Sequence, residues 1–313
     1  MDETQQAPDH TGPLTLARLL LRSIRPKQWP KNLLVYAAFF FTLNDQWTFD
    51  QPGDAGVLLA RATGAFVVFS ALAGATYLLN DLADLNRDRL HPRKRFRPLA
   101  SGALSVPAGV AVAVILVGGG LVGGFALSLE LGVVAVVYVL LQVAYSSWLK
   151  HLVILDVMGL GAGFLLRAIA GAVVIDVPIS PWLYACTALA SLFIGFGKRR
   201  NEMSLLGGRS TGTRSSLSQY TIPLLDQLIT IVATATLVAY TLYTVTAEGL
   251  PENNSMLLTV PFVGYGLFRY LFLIHSLNLG ESPEEILLAD RPLQAAILLW
   301  VVASVAVLLL YRG

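Results

Sequence analysis

The sequence predicts an all-α integral membrane protein, a bundle of nine transmembrane helices with its polar face in the cytosol. Three observations carry that prediction. Of 313 residues, 55% are hydrophobic and only 13% charged, against about 25% charged in a soluble domain. Mean hydropathy is +0.64. The apolar residues also gather into runs near the roughly 20 residues a helix needs to cross the hydrocarbon core. These figures exclude a disordered chain, a disulfide-rich secreted scaffold and an ordinary cytosolic enzyme. A net charge of +2 gives no reason to expect nucleic acid. The one cysteine, Cys186, excludes an internal disulfide. The polar start, Met1–Pro13, has no basic region before an apolar run, so no cleavable signal peptide is expected.

The predicted spans are 32–48, 57–79, 106–126, 130–147, 152–175, 181–197, 223–246, 256–276 and 293–311. They divide the chain into a cytosolic N-terminal segment, 1–31, and a transmembrane domain, 32–313. Runs such as Ala108–Val122 are uniformly apolar and lack the alternation of a membrane barrel. With the N-terminus inside, the segments 1–31, 80–105, 148–151, 198–222 and 277–292 hold 18 of the 22 Lys and Arg residues. The positive-inside rule therefore predicts a multi-pass plasma-membrane protein with a cytosolic N-terminus. Nine spans then put the C-terminus outside. The inner loops are long and polar, so any chemistry faces the cytosol.

The second span runs into Tyr77-Leu78-Leu79-Asn80-Asp81-Leu82-Ala83-Asp84-Leu85-Asn86-Arg87-Asp88. Continued as one helix, Asp81, Asp84 and Asp88 share a face, with Tyr77 before them. Stacked carboxylates repel and call for a cation. Mg2+ takes oxygen ligands, with phosphate and water completing its shell. Arg89, His91, Arg93, Lys94, Arg95 and Arg97 follow at once. A metal beside a basic cluster is the electrostatic pattern of a diphosphate site. Topology alone accounts for any single arginine here, but it gives no reason for three carboxylates at helical spacing.

These residues resemble a known family. Asn80-Asp81-x-x-Asp84-x-x-x-Asp88 is similar to the first aspartate-rich motif of the UbiA-type intramembrane prenyltransferase superfamily. His91-Pro92-x-Lys94-Arg95-x-Arg97-Pro98-x-Ala100-Ser101-Gly102 resembles its continuation, and the span count agrees with a UbiA-like bundle. The second aspartate-rich motif, expected after the fourth span, is altered. That place reads Tyr145-Ser146-Ser147-Trp148-Leu149-Lys150-His151-Leu152-Val153-Ile154-Leu155-Asp156, with one carboxylate. In this the chain resembles the decaprenyl-phosphate phosphoribosyltransferase branch. The stretches Arg25-Pro26-Lys27-Gln28-Trp29-Pro30-Lys31-Asn32, Gly197-Lys198-Arg199-Arg200-Asn201-Glu202 and Asp290-Arg291-Pro292 are similar to that branch too. The resemblance implies transfer of 5-phosphoribosyl from phosphoribosyl diphosphate (PRPP) to a polyprenyl phosphate, with diphosphate leaving. In actinobacteria that branch supplies the arabinose donor of cell-wall arabinan.

The altered residues suit that reaction. A donor with more phosphates calls for more cations and fewer carboxylates. A lipid phosphate is already ionised and needs no general base. On this reading Asp81, Asp84 and Asp88 hold Mg2+ against the donor diphosphate. Asn80 and Tyr77 lie beside them, with Lys94, Arg95 and Arg97 as phosphate-facing cations. Asp156 is expected to stabilise charge at the reacting carbon. Lys150, His151, Lys198 and Arg199, with Tyr145 and Ser146, are candidates for the ribose 5-phosphate or the lipid phosphate. Lys27 and Lys31 are candidates for the lipid headgroup, with interfacial snorkelling an equal alternative. Arg167 lies too deep for the chemistry and is read as structural, needing an interior partner. Arg269 and Asp226 stay undecided. His10 and His275 show no metal-ligand spacing, and His91, before a proline in the basic loop, is not expected to bind metal. The sequence is compatible with a homo-oligomer.

Two alternatives fit the same spans. One is prenyl transfer from a prenyl diphosphate to an aromatic acceptor, against which the altered second motif argues. The other is a transporter, which would place ionisable residues near the midplane. Here Arg167 is the main midplane charge, and the polar residues crowd one face.

Overall fold

The computed structural model describes residues 13–92, 94–178, 180–205, 216–276, 286 and 289–311. His10, Arg93 and the rest of the polar start, 1–12, lie outside the described residues, as do parts of the segments 198–222 and 277–292. All regular elements among the described residues are helical, apart from one isolated bridge between Leu43 and Trp47. The helices are α1 (Pro13–Ile24), α2 (Ala37–Phe41), α3 (Pro52–Ala83), α4 (Leu85–Leu90), α5 (Val106–Leu127), α6 (Leu129–Ser147), α7 (Leu155–Val174), α8 (Pro181–Leu205), α9 (Ile222–Thr246), α10 (Val260–Ser276) and α11 (Arg291–Tyr311). Ser105, Ser128 and Thr221 cap α5, α6 and α9 by accepting a backbone N–H through their side-chain oxygens.

Seven helical stretches among the described residues are long and apolar enough to cross a membrane: α3, α5, α6, α7, α9, α10 with its 3-10 lead-in from Ser255, and α11. The chain is a multi-pass membrane protein. α8 contains the expected span 181–197 but carries Tyr184, Thr187 and Ser191 along its length. It also continues as one helix through the basic run to Leu205.

The expected first span, 32–48, departs most from the sequence reading. The chain forms a 3-10 helix over Pro26–Tyr36 and then the short α2, ending in a turn at Thr42. The expected start of the transmembrane domain, residue 32, falls inside that 3-10 helix. Pro30 lacks the N–H an α-helix needs there and its ring clashes with the carbonyl four residues back. A close approach to α7 accompanies the unusual winding. A Cβ on Gly171 would collide with the carbonyl oxygen of Val35.

Two cores share α7. One joins Val35 and Ala38 to Phe69 of α3, Tyr138 of α6 and Ala170 of α7. The other joins Val157 of α7 to Phe196 of α8, Ile229 of α9, Ile274 of α10 and Leu293 of α11. Between α8, α9, α10 and α11 lies an apolar cavity of about 340 Å³, lined among others by Cys186, Phe193, Tyr240, Gly266 and Trp300. In its wall Trp300 Nε1 donates to Tyr240 Oη at 2.6 Å.

Arg167 has the interior partners its position demanded. Its guanidinium donates to Asn32 Oδ1 at 2.6 Å, to the Gly163 carbonyl at 2.6 Å and to Tyr138 Oη at 2.9 Å. Asn32 in turn donates to Ser70 Oγ at 2.9 Å, so one arginine ties the 3-10 segment to α3, α6 and α7.

Gly171→Ala should lower the melting temperature in detergent by an amount equivalent to about 1–3 kcal/mol, the usual cost of overpacking. An unchanged melting curve would show that the two backbones are not in contact.

Candidate active site

The carboxylates after α3 do not lie on one continuous helix. α3 ends at Ala83, Asp84 takes φ −93° and ψ 7°, and α4 sets off at Leu85. The break separates the three. Asp81 and Asp88 are buried, 3% and 1% exposed, while Asp84 stands apart with Arg87 Nη1 3.9 Å away. Asp81 and Asp88 are brought together by one guanidinium. Arg97 Nη1 donates to Asp81 Oδ1 at 3.0 Å and to Asp88 Oδ2 at 2.5 Å. Arg25 donates to Asp81 Oδ1 at 2.5 Å and lies over the Tyr77 ring, 4.8 Å from its centre.

Sequence reasoning quoted Arg25 but gave it no role. Its backbone is left-handed, φ 52° and ψ 67°, although Pro26 follows. A residue before proline prefers extended backbone. Such strain costs about 1–3 kcal/mol and persists where the surroundings over-determine it. Here the ion pair and the ring contact do so.

The rest of the basic run spreads outward. Lys94 Nζ is 3.9 Å from Asp88 Oδ1, and Arg95 is exposed over the Phe96 ring. Lys27 is exposed, and Lys31 donates to Gln28 Oε1 at 2.6 Å. Asn80 accepts a hydrogen bond from Ser146 Oγ at 2.7 Å, which ties α3 to the end of α6.

A second cluster lies around Asp156. The expected role at a reacting carbon does not match its surroundings. Asp156 is 0% exposed and both its oxygens are engaged. Arg199 Nε donates to Oδ2 at 2.6 Å, Tyr220 Oη to Oδ1 at 2.7 Å, and Ser216 Oγ lies 3.4 Å from Oδ2. It is a buried ion-pair partner with no open face toward a ligand. Arg199 is equally enclosed and also donates to Glu202 Oε2 at 2.7 Å and Tyr145 Oη at 3.4 Å. Burial and the bond to Asp156 push the Tyr220 phenol above its ordinary range, which keeps it a donor. Lys198 is half-buried beside Arg199, Lys150 is half-buried, and His151 is exposed.

The two clusters meet at the end of α6. Ser146 touches Asn80 in the first, and its neighbour Tyr145 touches Arg199 in the second. Tyr220 and Ser216 were missed because they fall in a polar link with no local pattern. The spacing of an Asp and a Tyr 64 residues later announces nothing.

Two undecided residues find partners. Asp226 accepts from Arg200 Nε at 2.5 Å and faces His275 Nε2 at 3.2 Å, joining α8, α9 and α10. Arg269 grips Asp290 with two bonds, at 3.2 and 2.8 Å, and Asp290 Oδ1 also accepts from Leu293 N at the start of α11. The hydrogen bond from Arg269 holds the Asp290 carboxyl below its usual range. A depressed carboxyl contributes stability above its unfolded pKa and loses it as pH falls through the folded one.

Among the described residues no three His, Cys, Asp or Glu side chains gather closely enough to enclose a metal ion. The buried carboxylates that could serve as donors are Asp81 and Asp88. Asp88 Oδ1 is buried with no hydrogen-bond partner. A hard cation that takes one or two carboxylates and fills its shell with phosphate and water fits such a set.

A thermal cycle of Arg97→Gln with Asp88→Asn should show coupling of roughly 0.5–3 kcal/mol, as groups in one network do. Additive effects would break the pair.

The family model described as the UbiA prenyltransferase family matches residues 33–285. The decaprenyl-phosphate phosphoribosyltransferase of Mycobacterium tuberculosis is 37% identical over 289 residues, which is 92% of this chain and 94% of that protein. The enzyme of the same name from Mycolicibacterium smegmatis is 37% identical over 310 residues, covering 96% and 95%. In fold, a UbiA homologue from Archaeoglobus fulgidus solved with GPP and Mg2+ aligns with TM-score 0.69 at 18% identity, over 93% of this chain and 100% of that one. With helices, paired carboxylates and sequence in agreement, the chain belongs to the UbiA prenyltransferase family.

Proposed function

We propose that this protein transfers the 5-phosphoribosyl group of PRPP to a polyprenyl phosphate, of which decaprenyl phosphate is the expected example, as a step toward cell-wall arabinan. The observation that carries the reading is the 37% identity to relatives named for decaprenyl-phosphate phosphoribosyl transfer, sustained over nearly their whole length. The altered second acidic region supports it, since a Lys and a His stand where a prenyl-diphosphate site would need carboxylates.

In this reading nine segments cross the plasma membrane, including the 3-10 segment with α2 and also α8. The N-terminus and the site lie in the cytosol, and the C-terminus lies outside. Asp81 and Asp88 would hold Mg2+, with Asp84 at the outer edge of the set, and the ion would supply positive charge to the leaving diphosphate. Arg25 and Arg97, already in place against the carboxylates, orient the diphosphate. A lipid phosphate oxygen attacks C1 of the ribose, and the bond from C1 to the diphosphate oxygen breaks. No proton moves. Lys150, His151 and Lys198 meet the ribose 5-phosphate, and Lys27 and Lys31 meet the lipid headgroup. Asp156 acts through Arg199 and Tyr220 as a positioning residue. Part of the isoprenoid tail, a few isoprene units at most, occupies the apolar cavity of about 340 Å³ between α8 and α11, and the rest lies in the bilayer.

Purified protein given labelled PRPP, Mg2+ and a polyprenyl phosphate should pass label into the lipid phase. The Asp81→Asn, Asp88→Asn double variant should lose at least about a hundredfold of that rate, as loss of several kcal/mol of charge stabilisation requires. Chelating Mg2+ should have the same effect on the unaltered protein. Label that stays in water, with prenyl transfer to an aromatic acceptor instead, would overturn the donor assignment.

A further inference from the structure

The link between α6 and α7 contains a turn that the fold alone does not call for. Ile154 has φ 69° and ψ −49°. Leu155 N donates to the Val153 carbonyl at 2.8 Å, an i to i+2 bond. Together these define a γ-turn of the positive-φ kind, the rarer and strained form. For a β-branched residue such backbone is a true outlier. Strain of this sort survives only where other contacts over-determine it.

Most of those contacts come from the segment just before α9. Tyr220 Oη accepts the Ile154 N–H at 2.7 Å and donates to Asp156 Oδ1 at 2.7 Å. One phenol therefore spans the turn, fixing its centre and the carboxylate two residues on. Ser216 Oγ donates to the Lys150 carbonyl at 2.9 Å, gripping the other end of the link. Asp156 is anchored from a third side by Arg199. Between these holds sits the single 3-10 turn Leu149–His151, which carries the two cations of the altered region. It begins three residues after Ser146, which with Tyr145 links the two clusters.

We propose that Tyr220 and Ser216 are positioning residues for the phosphosugar: they hold the strained turn at Ile154 so that Lys150 and His151 are presented to the ribose 5-phosphate. This rests on the phosphoribosyl reading given above. The cations then act from a pre-set backbone, and little ordering is left for the moment of binding. In this proposal the lipid phosphate is met by Lys27 and Lys31 and not by this turn, so the lipid's affinity should not depend on it.

The test measures KM for PRPP, KM for the polyprenyl phosphate, kcat and melting temperature in Tyr220→Phe, Ser216→Ala and the double variant Tyr220→Phe, Ile154→Gly. Tyr220→Phe keeps the ring and removes both bonds. It should raise KM for PRPP about tenfold or more while leaving the lipid KM within about twofold, a split that reads loss of binding for one substrate only. Ser216→Ala, the milder change, should move the same constant in the same direction. Adding Ile154→Gly to Tyr220→Phe should recover most of the loss, because glycine takes positive φ without strain. A lower melting temperature with both KM values unchanged, or both raised alike, would make the network merely structural and overturn the proposal. So would a double variant no better than Tyr220→Phe. If the unaltered protein is neither turned over nor thermally stabilised by PRPP, the phosphoribosyl reading falls and takes this one with it. If the unaltered protein is active and only the predicted split is absent, this one falls alone.

Discussion

Negative charge at the rim of a hydrocarbon slab has to be neutralised on the spot. Asp81 and Asp88 are almost wholly enclosed, and an isolated carboxylate in such a place would give up its charge by taking a proton. The neutralising groups are two arginines from opposite sides in sequence. Arg25 comes from before the first crossing segment, and Arg97 from the loop after α4. The polar end of the bundle is built to bring them there. α3 has 32 residues, or about 48 Å of helix at 1.5 Å per residue, well beyond the roughly 30 Å of hydrocarbon. Its surplus length carries Asp81 to the polar edge. The break at Asp84 turns α4 so that Asp88 meets the same guanidinium. The unfavourable backbone of Arg25 is tolerated because its side chain is needed at that one point.

The same constraint recurs around Asp156, with a different outcome. There the carboxylate and its arginine are sealed together and shared with Tyr220, Ser216, Glu202 and Tyr145. A sealed pair of this kind does little for net stability, since desolvation offsets the attraction. What it does is fix geometry. It locks α7, α8 and the start of α9 into one frame. α7 therefore belongs to two assemblies. Its C-terminal half packs with the first core through Gly171 and Arg167, and its N-terminal end belongs to the second.

Local pattern was legible and distant pairing was not. Uniform apolar runs marked α3, α5, α6, α7, α9, α10 and α11 within a few residues. The acidic motif was legible because its members are neighbours in sequence. The break at Asp84 was hidden, since no Gly or Pro marks it. The 3-10 winding before α2 was hidden too. Pro30 was visible, but the close approach of Val35 to Gly171, far along the chain, was not. Asp156 looked like an intramembrane charge awaiting a substrate. Its partners at 199, 216 and 220 lie in other elements, so nothing nearby showed that it was already satisfied. Arg167 is the converse case. The cost of burying it announced that partners existed, and only the fold could say that they were Asn32, Tyr138 and the Gly163 carbonyl.

Cys186 is the chain's single cysteine, and it lies in the wall of the apolar cavity between α8 and α11. A thiol-directed spin label or fluorophore therefore attaches at that wall and at no other point, with no background cysteines to remove. The native protein already carries an address for spectroscopy, and it lies beside the apolar cavity proposed for part of the lipid tail rather than among the ion pairs. Filling and emptying of that space can be followed in a chain whose charged machinery is left as it was made.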